Sequence, residues 1–148
     1  MGISNQYFVA ADNAAAARTV GNGGLGRGLL DSILGPDPVV ELTALEGFLR
    51  GLDEEESLAL IDRPDCGDFV GGDPDAAYVV TVARGTVDAL AFADDGELAA
   101  AVGRWSRIEE FGGLADPEVL LAIARDLRAM FSRADADGTR PYVLVNLV

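Results

Sequence analysis

The chain has 148 residues and a net charge of −14, from 25 acidic residues against 11 basic ones, all of them arginine. Such a charge repels phosphate backbones and anionic headgroups, so no nucleic acid and no membrane is expected as a partner. With neither histidine nor lysine, the chain cannot build a Ser-His-Asp triad, the usual zinc hydrolase sites, a Walker A loop or a pyridoxal phosphate linkage, and neither a metal nor a cofactor is expected.

Cys66 is the single cysteine, which rules out an intramolecular disulfide. No secretory leader pattern is visible at the start, and no apolar run approaches the roughly 18 residues of a membrane span. The expectation is one soluble cytoplasmic domain over residues 1–148.

In chain order, Gln6–Ala10 reads as a strand, being aromatic and β-branched. Asp12 or Asn13 can cap a helix through Ala14–Ala17, which runs into a loop with Gly21, Gly23 and Gly26 at the spacing G-x-G-x-x-G. A dinucleotide site needs a strand directly before that motif, and a helix stands there, so a plain loop is the better reading. Leu29–Leu34 reads as a short helix or turn.

Asp37-Pro38 pairs a capping carboxylate with a proline at a first helical position. Leu42, Leu45, Leu49 and Leu52 follow at spacings of three and four, and Gly51 is placed to end that helix. Glu54–Ile61 is a further helix, whose acidic start, Asp53–Glu56, suits the helix dipole. Residues 62–75, rich in Gly, Pro and Asp, read as a mobile acidic loop.

Tyr78–Val82 reads as a strand and Val87–Phe92 as a short helix. Asp94 or Asp95 can cap a helix running towards Trp105 and Phe111. Asp116-Pro117 opens a helix with Leu120, Ile123, Ala124, Leu127 and Phe131 on one face, ended near Gly138. Tyr142–Val148 is a strand apolar on both sides, as a central one would be. Three strands and about five helices indicate an α+β domain, a small sheet packed against several helices.

Two groups of residues are candidate sites. Trp105, Arg107, Glu109 and Glu110 place the single tryptophan beside a guanidinium and two carboxylates. On a helix, Trp105 and Glu109 would share a face and could bind a small polar ligand; the plainer reading makes Trp105 a core anchor. The second group is Asp65, Asp68, Asp73 and Asp75. Residues 53–75 carry nine acids against Arg63 alone, so this segment either meets a basic partner or pairs with Arg125, Arg128 or Arg133 of the same chain. If it meets a partner, removing or neutralising 62–75 should weaken binding without unfolding the core. Asp135-Ala-Asp137-Gly138 matches part of a calcium loop, but Arg133 and Leu144 stand where ligands are required. Carboxylates around Cys66 disfavour its thiolate, so it is not expected to be catalytic.

The Trp105–Phe111 segment, the capped helix from Asp116-Pro117 and the closing strand from Tyr142 resemble a family of small actinobacterial proteins with no assigned function. The likeness covers about the C-terminal third. It implies a bacterial, cytoplasmic source and carries over no catalytic residue. The functional expectation is a non-enzymatic protein-binding domain that offers acidic surface to a basic partner, as immunity proteins do to basic toxins. The alternative is a small-ligand binder or carboxylate enzyme centred on Trp105 and Glu109.

Overall fold

β1 (Ile3–Ala10) and β5 (Arg140–Leu147) pair antiparallel along their whole length, from Ile3 opposite Leu147 to Ala10 opposite Arg140. The computed structural model describes residues 2–21 and 32–147. β4 (Ala77–Thr81) joins the other edge of β5, β3 (Phe69–Gly72) pairs with β4, and β2 (Ile33–Leu34) pairs with β1. The sheet is therefore five-stranded and antiparallel, in the order β2-β1-β5-β4-β3. With the six α-helices of the described residues it forms one α+β domain.

Strand alternation divides the apolar side chains between two cores. Tyr7, Val80, Val143 and Val145 face α2 (Val40–Arg50), α4 (Arg84–Ala91), α5 (Asp95–Trp105) and α6 (Pro117–Asp137). Phe8, Val79, Tyr142 and Leu144 face α1 (Asn13–Gly21) through Ala16. Covered on both sides, Pro141–Val145 of β5 are buried without a break.

Helix starts follow their caps. Asp12 accepts the Ala15 N–H, Asp94 the Glu97 N–H and Asp116 the Glu118 N–H, with Pro117 opening α6. Asp37 accepts the Val39 and Val40 N–H groups, so the Asp37-Pro38 signal marks α2 two residues before its first full turn. Asp53 and Glu56 form a reciprocal capping box on α3 (Glu54–Ala59), which satisfies two free N–H groups at once. α2 and α6 end at Gly51 and Gly138, both left-handed.

Two strands lie where none is expected from the sequence. Ile33–Leu34 is β2 rather than helix, and the stretch read as loop, 62–75, contains β3. Gly71 serves close packing there: a Cβ on it would lie 2.9 Å from the Ala17 Cβ, so its absence lets α1 rest against β3. The G-x-G-x-x-G stretch lies outside the described residues beyond Gly21.

Candidate functional site

α2, α3 and the turn Glu109–Phe111 enclose a groove of about 330 Å³. Val40, Phe48, Leu52, Leu58 and Ile108 supply its apolar lining, while Glu54, Glu109 and Glu110 bring carboxylates, and among the described residues no arginine lines it. Leu58 is 57% exposed and Val40 39%. The sequence dictates this shape. α3 is short, capped at both ends of its acidic first turn, and buries none of its residues fully, so Leu58 faces the groove instead of the core. α5 stops at Trp105 because the chain turns extended at Ile108, whose N–H donates to the Trp105 carbonyl.

Glu110 of the groove also acts on a carboxyl outside its lining, that of Glu41. Burial pushes the Glu41 carboxyl above its ordinary value of 4.5; the Asp37 N–H bond opposes this, and the charges of Asp37 and Glu110 add to it. The free protein thus holds repelling carboxylates beside an apolar surface, and a cation placed there would relieve them.

Beneath α3, the Glu46 carboxylate is completely buried and held by four bonds. Arg63 binds both of its oxygens, Arg50 binds Oε2 at 2.9 Å, and the Thr86 hydroxyl donates to Oε1. Burial would lower the Arg63 pKa, but its bonds to Glu46 raise it overall. This cluster has no open face for chemistry: every Glu46 oxygen is taken, and it fastens the connection after α3 to α2 and α4. Glu46 is a residue the sequence reading missed. The signal was its place four residues after Leu42 and beside Leu45, on the stripe that faces the core.

The residues of the first candidate group separate. Trp105 is fully buried; its Nε1–H donates to the Glu41 carbonyl at 2.8 Å, and its ring meets Phe111 edge-on at 5.2 Å. Arg107 is exposed, donates to the Gly103 carbonyl, and lines a different, shallow cleft with Pro117. Glu109 and Glu110 stand together in the groove. Because α5 ends at Trp105, Glu109 sits on a separate turn and does not share a helical face with it.

The second group lies along the far edge of the sheet. Asp68, Asp73 and Asp75 are exposed, and Asp73 accepts the Asp75 N–H within the β3–β4 turn. Charges at an edge strand oppose pairing with a second chain. Asp65 is half-buried and accepts the Arg84 N–H, capping α4 from a distance in sequence. Arg125 and Arg128 do not reach this segment; both grip Asp95. Asp135 and Asp137 belong to the last turn of α6, not to a loop. Burial pushes the Cys66 thiol up, Arg63 draws it down, and Asp65 raises it again, for a net rise that disfavours thiolate.

Among the described residues, no helix is long and apolar enough to cross a membrane. The chain matches no protein-family model, no curated protein and no solved structure at a significant level.

Proposed function

We propose that this chain is a non-enzymatic binding module that seats a basic, amphipathic segment of a partner protein in the groove between α2 and α3. The observation that carries this reading is the combination in one place of exposed apolar side chains, Leu58 and Val40, with Glu54, Glu109 and Glu110 and, among the described residues, no cation. Apolar anchors supply affinity, and the carboxylates select for positive charge and speed encounter. Glu110 also repels the half-buried Glu41 carboxyl, and a cation in the groove would relieve that repulsion.

This location replaces the 62–75 segment as the centre of the partner surface. Removing that segment would also strip Arg63 from the buried Glu46 and take β3 out of the sheet, so it would disturb the fold as well as any binding.

A dye-labelled Leu/Lys amphipathic peptide, titrated with the protein and followed by anisotropy at low and high salt, tests the proposal. Saturable binding that weakens with salt is expected, and Leu58→Asp or Glu110→Lys should each weaken it roughly tenfold. The combined change Asp73→Asn, Asp75→Asn should alter it little. Equal affinity of Leu58→Asp and the parent protein, or loss of binding in the Asp73/Asp75 variant, would overturn the groove as the docking site.

A further inference from the structure

A second cavity, of about 320 Å³, opens at the end of the sheet where α1 and α4 begin and α6 ends. It lies within the usual size range for small-molecule sites. Its charged lining consists of two arginines and two aspartates, Arg84, Arg140, Asp65 and Asp135, and these fall into two unequal poles.

On the helix-bundle side, beside Val82 and Val87, Arg84 bridges Asp135 at 3.2 Å and Asp88 at 3.3 Å, while its N–H donates to Asp65. Among the described residues, one oxygen each of Asp65 and Asp135 remains without a hydrogen bond, so this pole has spare acceptors and an excess of negative charge. On the α1 side, strand alternation places Arg140 on the same face as Tyr142. The Tyr142 hydroxyl donates to Asn13 Oδ1 at 2.8 Å, which leaves the Asn13 amide N–H groups unclaimed. Arg140 makes no ion pair or side-chain hydrogen bond among the described residues, and Asp12, the cap of α1, spends one oxygen on the Ala15 N–H and does not line the cavity. Val82, Val87 and Pro141 supply the apolar part of the lining.

We infer that this cavity is a binding site for a small zwitterion with an apolar side chain, a free α-amino acid in chemical class. Its carboxylate would meet Arg140 and the Asn13 amide, and its ammonium the free oxygens of Asp65 and Asp135. An anion alone would leave the excess negative charge around Arg84 unanswered, and a cation alone would leave Arg140 unanswered. The site is separate from the groove between α2 and α3, and does not depend on it.

Isothermal titration with L-leucine, N-acetyl-leucine and leucinamide tests the inference. Leucine should bind saturably, and each analogue, lacking one charge, should bind at least about tenfold more weakly. Arg140→Ala and Arg140→Gln should lower leucine affinity about tenfold while leaving the residual affinity for leucinamide unchanged. Asp135→Asn should do the converse, sparing N-acetyl-leucine. Asp75→Asn, remote in the β3–β4 turn, should bind leucine as the parent does. Absence of leucine binding up to its solubility limit, equal binding of all three compounds, or unchanged leucine affinity in both folded Arg140 variants would each overturn it.

Discussion

Arg63 holds Glu46 at both carboxylate oxygens, Nη2 to Oε1 at 2.7 Å and Nη1 to Oε2 at 3.1 Å, across 17 residues of sequence. The carboxylate is wholly buried and the guanidinium mostly so. Replacing Arg63 by alanine leaves Glu46 with Arg50 and Thr86 as its remaining partners, so it should cost less than the roughly 3–5 kcal/mol of a buried charge left wholly unpaired, on the order of 2–3 kcal/mol. Changing both residues to methionine removes the buried charge altogether and should cost less than Arg63→Ala alone. Urea unfolding of the two variants checks the order, and the reverse order would show that Arg50 and Thr86 alone satisfy the buried Glu46 carboxylate.

Gly85 lies against this pair. An alanine there would gain up to about 1 kcal/mol in helix propensity. Its Cβ, however, would stand 2.5 Å from Arg63 Nη1 and 3.2 Å from Glu46 Oε2. A guanidinium held at both ends cannot swing aside, so Gly85→Ala should destabilise the protein by about 1–3 kcal/mol. In the Arg63→Ala background the same substitution should be neutral or stabilising, which a double-mutant cycle measures directly.

Glu41 gives a pH signature. Its carboxyl is raised by burial first, with Asp37 and Glu110 adding repulsion against the Asp37 N–H bond. The folded protein therefore keeps this proton to higher pH than the unfolded chain does. Stability should fall as pH rises from the ordinary value of 4.5 through the raised one. Glu41→Gln keeps an acceptor for the Asp37 N–H, so it should remove that slope and melt higher than the parent at neutral pH. The same proton competes with a basic ligand, and peptide affinity should strengthen over the same rise in pH. Melting curves and anisotropy titrations across the acidic range check both.

Asp95 behaves in the opposite sense. Arg125 binds it through two nitrogens and Arg128 through one, and the bond from Arg125 is the main cause of its lowered carboxyl pKa. Its stabilising effect is present above the ordinary value of 3.8 and is lost as pH falls through the lowered one. Asp95→Asn should lower the melting temperature at neutral pH, and the difference from the parent should shrink in strong acid. Because all three side chains reach solvent, it should also shrink at high salt.

What was legible in the sequence is what is decided locally. Asp37, Asp116 and the pair Asp94-Asp95 announce their helices, since a cap acts within three residues of itself, and of that pair Asp94 is the cap. The unbroken apolar run of Tyr142–Val145 announced a covered strand. β2 and β3 were not legible, because strands of two and four residues with two glycines owe their existence to the longer strands beside them. Glu46 sat visibly on an apolar stripe, but Arg63 and Thr86, which make its burial possible, come from other elements. Glu109 and Glu110 were singled out as site residues beside Trp105; the structure sets them in a groove while Trp105 is enclosed, because the helix that would have aligned them ends first.

The full-length pairing of β1 with β5 has a consequence for synthesis. β5 occupies the middle of the sheet, yet residues 140–147 are the last of its strands to be made. Until they emerge, β1 and β4 each present an open inner edge, and the two halves of the sheet have nothing to join them. The nascent chain can form its helices and the β3–β4 hairpin from local contacts, but the sheet must close late, around its final strand. For that interval the exposed strand edges are the part of the molecule most open to pairing with the wrong chain.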